Sequence, residues 1–264
     1  MYDFDYYRPA SLEKAGQLIA SGRERKLLAG GMSLIPTLKL RLAQYAALVD
    51  LGAVRDLKGI RREEDALVIG AMTEHATVAA APEVIAAIPA LAVLAGGIGD
   101  PLVRNRGTLG GSIANADPAA DYPAGLVGLG ATICTVKRTI PADEFFLGLF
   151  ETALGPGEII AAVRFPIPER AGYAKLPQPA SRYPLVAAMV AKTGRRVRVA
   201  ITGAAPAVFR WKEAEARLAQ HFAPSALDGV EIRAEGLSSD IHASAEYRAH
   251  CMEIMAKRAV LAAC

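Results

Sequence analysis

Two glycine-rich segments carry the residues best suited to chemistry. The first runs Leu28-Ala29-Gly30-Gly31-Met32-Ser33-Leu34, where an apolar strand pattern gives way to a helical one. Paired glycines let successive backbone N–H groups turn into one concavity, and the start of the next helix adds the positive end of its dipole. A phosphate suits such a concavity, and a plain tight turn satisfies the same residues. The second runs Arg104-Asn105-Arg106-Gly107-Thr108-Leu109-Gly110-Gly111-Ser112 and continues through Asn115, Asp117 and Asp121 to Pro123. It offers another glycine pair, hydroxyls at Thr108 and Ser112, and carboxylates four residues apart at Asp117 and Asp121. Nests with hydroxyls suit a pyrophosphate. Carboxylates suit sugar hydroxyls or ring N–H donors. Two such loops with no charged catalytic cluster point to a dinucleotide held along its length. Neither loop reads GxGxxG or GxxxxGK[ST], so the usual NAD and ATP readings lose weight.

The elements that must position these loops follow from periodicity. Ser11 caps a helix through Leu12, Ala15 and Ile19, with Glu13 in its first turn. Lys26-Leu27-Leu28-Ala29 reads as a short strand, and Ser33 opens a helix with Leu34, Leu38 and Leu42 on one face. Pro36 sits in its first turn, where a missing N–H costs little. Ala47-Leu48-Val49-Asp50-Leu51 reads as a second strand, so a parallel pair is expected. Residues 57–60 and 67–71 flank the charged turn Arg61-Arg62-Glu63-Glu64-Asp65 as in a hairpin. Thr73 caps an alanine-rich helix, residues 96–123 read as one long loop, and strands follow at 131–136 and 159–165. Further on, runs at 185–191 and 197–204 form a hairpin, followed by helices at 211–220 and 242–262. The last helix aligns Tyr247, Cys251, Ile254 or Met255, Arg258 and Leu261. The chain divides into residues 1–59, 60–172 and 173–264.

Composition narrows the function further. The 264 residues carry 30 Lys+Arg against 27 Asp+Glu, a formal charge of +3. That argues against nucleic-acid binding, which needs a concentrated basic face, and the densest basic run (Arg195, Arg196, Arg198) lies at the hairpin. Cys134, Cys251 and Cys264 are the only cysteines and show no CxxC spacing. This excludes a disulfide scaffold and an all-cysteine iron–sulfur cluster, and disfavours a cysteine-rich zinc site. Cys134 reads as a buried strand thiol. His242, Glu246 and His250 share a helical spacing, but HExxH is absent and packing explains them. His75 reads as a polar first-turn residue, His221 as a helix-end residue, and Arg104 and Arg106 either approach the phosphates or, the favoured reading, anchor the loop and meet a partner. Tyr183 either covers a cofactor ring or belongs to the core. No catalytic residue and no metal ligand is assigned. The acidic start of the chain lacks an apolar signal region, and the uncharged stretch 84–99 breaks at Pro89, so a cytoplasmic location is expected.

At the two loops the chain resembles the FAD-binding medium subunits of the molybdenum hydroxylases, which include aerobic carbon monoxide dehydrogenase and xanthine dehydrogenase. The resemblance rests on Ala29-Gly30-Gly31-Met32-Ser33-Leu34-Ile35-Pro36 with Lys39-Leu40-Arg41, and on the whole run from Arg104 to Asp121. It continues through Tyr173-Ala174-Lys175, Ala180-Ser181-Arg182 and Ser239-Asp240-Ile241-His242, covering nearly the whole chain. It implies an α+β FAD-binding fold of the vanillyl-alcohol-oxidase/PCMH type. That fold has a small N-terminal α/β subdomain, a mixed middle subdomain, and a C-terminal antiparallel sheet plus helices. FAD would lie between the first two and touch the third.

By the same resemblance, Ala29, Gly30, Gly31, Met32, Ser33 and Leu34 would wrap the pyrophosphate, and Thr108, Gly110, Gly111 and Ser112 would complete the cradle. Asn115 and Asp117 would hold the ribityl and adenosine portions, with Asp121 closing the motif. Ile160 would pack on the flavin, and Lys175 would place a cation near its ring. Gly111 is expected to adopt a positive φ. Met32 departs from the polar residue expected there, and a thioether donates no hydrogen bond. The implied role is an oxidoreductase subunit that passes electrons to an external acceptor. Its partners would be a large molybdenum-cofactor subunit and a small [2Fe-2S] subunit, assembled as a dimer of heterotrimers. Two alternatives stand beside it: a stand-alone flavoenzyme of the same superfamily, and a scaffold that has lost its flavin.

Overall fold

The computed structural model describes residues 1–22 and 24–263, so Cys264 lies outside the described residues. The N-terminal part comprises β1 (Asp5–Tyr7), α1 (Leu12–Ala20), β2 (Arg25–Leu28), α2 (Leu34–Lys39) and β3 (Ala47–Asp50). The strands form a parallel sheet in the order β1-β3-β2. Ser11 caps α1 as expected, its hydroxyl accepting from the Lys14 N–H at 3.2 Å. Ala15 packs against Val49 and Leu51 in a small core of its own. Strand β1 carries no alternating pattern, which is why the sequence did not show it. The helix α2 stops at Lys39 because Arg41 takes a positive φ of 57°, which leaves Leu42 exposed instead of beside Leu38.

In the middle part, β4 (Ile60–Glu63) and β5 (Ala66–Gly70) form the expected hairpin, with a tighter turn. Arg61, Arg62 and Glu63 belong to the strand, not the turn. Then come α3 (His75–Ala80), α4 (Pro82–Ala87), α5 (Pro89–Gly96), α6 (Pro101–Arg104), α7 (Leu109–Asn115) and α8 (Asp121–Leu129). Residues 96–123 are therefore not one loop. Pro82, Pro89 and Pro101 each begin a helix, where the absent N–H is no loss. These helices are too short to display a 3.6-residue period. The chain continues through β6 (Thr132–Thr135), β7 (Thr139–Pro141), β8 (Phe146–Gly148), β9 (Glu151–Thr152) and β10 (Ile160–Pro166). The main sheet is antiparallel, ordered β4-β5-β10-β6-β7. Thr73 does not cap α3. Its buried hydroxyl donates to the Gly59 carbonyl at 3.2 Å and accepts from the Gly59 N–H at 3.0 Å.

The C-terminal part holds β11 (Arg170–Pro177), β12 (Pro184–Thr193), β13 (Arg196–Thr202), β14 (Phe209–Arg210), α9 (Lys212–Gln220) and α10 (Ala245–Leu261). The antiparallel sheet β11-β12-β13-β14 is buried on both faces. Val186, Ala188 and Val190 face α10, while Ala187, Met189 and Ala191 join the main core beneath α8. The face α10 buries differs from the one expected. Cys251 and Met255 are inside, but Tyr247, Arg258 and Leu261 are exposed, and Arg248 is buried. Arg248 can be buried because its guanidinium donates to the carbonyls of Leu185 (2.7 Å) and Gly203 (2.8 Å) and to Asp240 (2.7 Å).

His242 precedes the Ser244 cap, so it does not share a helix with Glu246 and His250. Among the described residues no group of three His, Cys, Asp or Glu is placed to hold a metal. Cys134 is half-buried, not fully buried, and Cys251 is buried. Among the described residues no helix is long and apolar enough to cross a membrane.

Gly172 sets the distance between β11 and α10: a Cβ there would lie 1.9 Å from the Ala259 carbonyl oxygen. Gly172→Ala should therefore cost about 1–3 kcal/mol of stability, as overpacking does. An unchanged midpoint in chemical denaturation would show that α10 moves away freely.

Candidate functional site

The first loop leaves the C-terminal end of β2 and enters α2, the position where parallel strands gather ligands. Gly31 adopts a φ of +78°, which a glycine holds without strain. Gly30 is required for space: a Cβ there would sit 2.0 Å from the Arg106 carbonyl oxygen and 2.8 Å from the Gly107 Cα. The two loops thus touch backbone to backbone. Gly111 adds a second contact, since its Cβ would lie 3.2 Å from the Ala29 Cβ and 2.8 Å from the Thr108 hydroxyl. Gly111 is not among the residues of positive φ, so space and not conformation demands the glycine. Among the described residues, the N–H groups of Gly30, Gly31, Met32 and Ser33 donate to no protein acceptor. These are the free donors that an anion would need. Met32 and Ser33 are exposed, and Ala29 and Leu34 are half-buried.

The second loop is differently committed. The Thr108 hydroxyl accepts from the Gly111 N–H at 3.1 Å and caps α7. The Gly110 N–H donates to the Ala71 carbonyl at 2.7 Å, and Leu109 N–H to Thr73 at 3.1 Å. Gly110 therefore faces the sheet and not an open concavity. Ser112 and Asn115 are half-buried, and among the described residues their side chains have no hydrogen-bond partner. Asp117 accepts from the Ala119 N–H at 2.9 Å, and burial pushes its carboxyl up. The C-terminal part grips this stretch. The Gly203 N–H donates to the Pro118 carbonyl at 2.9 Å, and the Thr202 hydroxyl lies 2.8 Å from the Ala120 carbonyl.

Asp121 and Lys175 form one unit. Asp121 is 4 % exposed and accepts from the Tyr173 hydroxyl at 2.6 Å and from Lys175 Nζ at 2.8 Å. Burial pushes its carboxyl up, and the ammonium and hydroxyl pull against that shift. Lys175 also donates to the carbonyls of Gly97 (2.7 Å) and Arg182 (3.0 Å), so each of its three protons has an acceptor. The free cation expected near a flavin ring is instead a compensated charge. Ile160 is buried in the main core, whereas its neighbour Ile159 clusters with Ala29 of the first loop. Glu158 holds the preceding turn. Hydrogen bonds from Arg138 and Thr135 keep its carboxyl down, at about 2.

Sequence reasoning missed the segment from Ala71 to His75, to which the second loop is bridged: His75 N–H donates to Gly107 and Glu74 pairs with Thr108. His75 is no surface residue. Its imidazole is 4 % exposed, lies 5.3 Å from the Tyr122 ring, and fills the space a Gly107 Cβ would need. Burial, with the Arg104 charge, pushes it down to about 4, so it is neutral. A histidine flanked by glutamate and alanine gives no sequence signal of this. Arg104 anchors the loop as expected, donating to the carbonyls of Ile98 (3.0 Å) and Gly99 (2.9 Å). Tyr183 is 43 % exposed and so does not belong to the core. A groove of about 360 Å³ lined by Val127, Asp143, Phe146 and Arg210 contains none of the loop residues.

This pair of loops on this fold defines a dinucleotide-binding flavoprotein subunit. Residues 2–168 match the family described as the FAD binding domain in molybdopterin dehydrogenase, and the chain belongs to that family. It is 36% identical to the carbon monoxide dehydrogenase medium chain of Hydrogenophaga pseudoflava, covering 98% of this chain and 96% of the relative. It is likewise 36% identical to the nicotine 6-hydroxylase medium subunit of Paenarthrobacter nicotinovorans, again over 98% and 96%. Among solved structures, it resembles carbon monoxide dehydrogenase of Hydrogenophaga pseudoflava with a TM-score of 0.87, 36% identity and coverage of 99% and 97%. Quinoline 2-oxidoreductase of Pseudomonas putida 86 gives a TM-score of 0.88 at 31% identity, covering 98% and 96%. The α+β FAD-binding fold, FAD as the cofactor of this chain, and its place as an oxidoreductase subunit are thereby established.

Two tests follow. Gly30→Ala should force the loops apart and abolish FAD retention while leaving the circular dichroism of the fold intact. Normal flavin occupancy would disprove the need for that contact. An unfolded histidine titrates near 6.5, so below that pH the unfolded chain binds a proton that folded His75 refuses. Stability should therefore fall between pH 6.5 and about 4, by up to about 3 kcal/mol from this residue. His75→Phe should flatten that part of the pH profile. Identical slopes in the two proteins would refute it.

Proposed function

We propose that this chain is the FAD-carrying electron-transfer subunit of a molybdenum/iron–sulfur/flavin hydroxylase. The observation that carries the reading is the meeting of the two loops at Gly30, with four unspent backbone donors beside it. The residues present fit the cofactor. Ala29, Gly30, Gly31, Met32, Ser33 and Leu34 bind the pyrophosphate through backbone amides, so the Met32 thioether is no obstacle. Thr108 fixes the turn of the second loop, and Gly110 and Gly111 let it approach the first. Ser112, Asn115 and Asp117 offer polar groups to the ribityl and adenosine portions. Asp121 and Lys175 close the site as a neutral pair, and Ile159 with Ile160 supplies an apolar wall. FAD, when bound, accepts electrons and passes them on. The chain's own residues bind it, orient it and shape its surroundings.

Substrate oxidation belongs in this reading to a large molybdenum-cofactor subunit, and a small [2Fe-2S] subunit feeds electrons to this chain. The relatives named as medium chain and medium subunit support a multi-subunit assembly. In this reading it is a dimer of heterotrimers in the cytoplasm that serves an external acceptor. The chain expressed alone should purify yellow, with one FAD per chain, and oxidise none of carbon monoxide, aldehydes, purines or N-heterocycles. Co-expression with the two partners should restore oxidation. A colourless chain that added FAD cannot reconstitute would overturn the proposal. Oxidation of such a substrate by the lone chain would favour a stand-alone flavoenzyme.

A further inference from the structure

The run from Ser239 to Arg248 is built as a bracket. Asp240 Oδ1 accepts from the N–H groups of His242 (2.9 Å) and Ala243 (3.0 Å), and Ser244 caps α10 by accepting from the Tyr247 N–H at 3.2 Å. Arg248, one turn further on, is 4% exposed. Its Nη2 donates to Asp240 Oδ2 at 2.7 Å, and its Nη1 donates to the carbonyls of Leu185 and Gly203 at 2.7 and 2.8 Å. Two carbonyl dipoles thus converge on one nitrogen, and the cation offsets their repulsion. Gly203 follows β13 with a φ of +80°, and a Cβ there would lie 2.6 Å from the Pro184 carbonyl oxygen. It is the residue that grips the second loop. Its N–H donates to the Pro118 carbonyl at 2.9 Å, beside the Thr202 hydroxyl, which lies 2.9 Å from the same oxygen. Two residues before Pro118, buried Ala116 holds a φ of +48°, a left-handed conformation that a residue with a Cβ disfavours. Such a turn keeps its shape only where its surroundings over-determine it. On one side the Ala116 N–H donates to the Ser112 carbonyl at 3.2 Å, and on the other stands the grip on Pro118.

We propose that Arg248, held by Asp240, is a positioning residue for the cofactor: it fixes Gly203, and through the Pro118 carbonyl it keeps the turn at Ala116 in the shape that presents Asn115 and Asp117 to FAD. The charge of Arg248 is met by Asp240 and by two carbonyls, so it acts through hydrogen bonds and not through its field. The path runs from α10 to the end of β13 and on to the end of α7, with an observed hydrogen bond at each step between segments. This rests on the reading above that Asn115 and Asp117 face FAD.

The test titrates the full chain with FAD and reads the dissociation constant together with amide exchange over residues 116–121. Arg248→Met/Asp240→Asn, which removes both charges together, should weaken FAD about tenfold, the worth of one charge-assisted hydrogen bond. The same pair should speed exchange in the segment. Gly172→Ala, which disturbs the far end of α10, is the control for mere loss of stability and should leave both readouts unchanged. Ala116→Gly, which needs no outside hold for its φ, should restore part of the affinity to the charge-free pair. Arg248→Lys, which keeps the charge but loses the fork, is read in the same way if that pair fails to fold. Unchanged affinity or unchanged exchange in a folded variant would overturn the proposal, as would an equal loss of affinity in Gly172→Ala. Asn115→Ala/Asp117→Asn should weaken FAD by itself. Unchanged affinity in that variant would overturn the reading of those two residues, on which the proposal stands.

Discussion

A side chain that is not there organises this molecule. At Gly30 the first loop approaches the peptide between Arg106 and Gly107 so closely that a single methyl group would occupy the space of a carbonyl oxygen. The contact joins the parallel sheet of the N-terminal part to the second loop. That loop is in turn bridged to residues 71–75 by backbone hydrogen bonds and gripped at Pro118 by the end of β13. Three separately built sheets are thereby brought to one place. The second loop spends its Leu109, Gly110 and Gly111 amides on residues 71–73 and on the Thr108 cap, whereas the first loop leaves four consecutive donors unspent among the described residues. The asymmetry has a physical origin: one loop is scaffold for the other.

Around that meeting point the polar interior is arranged to be neutral. Asp121 is compensated by Lys175 and Tyr173, and Arg248 by Asp240 and two carbonyls. His75 is kept uncharged by burial and by Arg104. Burying an uncompensated charge costs several kcal/mol, so each of these groups is either paired or neutral.

How far the sequence could be read depended on the range of the interactions. The Ser11 cap, the parallel β2–β3 pair and the β12–β13 hairpin were legible because they rest on residues near each other in the chain. The glycine pairs were legible as well, since loop chemistry is local. The short helices from Pro101 to Leu129 were not, because they are shaped by packing against α3, β10, β12 and β13 and not by their own periodicity. The buried face of α10 was misjudged for a similar reason. An arginine is an outward-facing residue by any hydropathy pattern, until Leu185, Gly203 and Asp240 supply the acceptors that let it turn inward.

The residue types and their spacing alone determined that this chain carries two glycine-paired loops and an α+β organisation, because those properties are written in local pattern and composition. Only the tertiary structure decided which loop keeps its amides free, why Gly111 must be glycine, and that Lys175 is tied to Asp121 and Arg182 instead of standing alone. Each of those outcomes turns on a contact between segments distant in sequence. The spacing of residues along a chain does not specify such a contact until the sheets have packed.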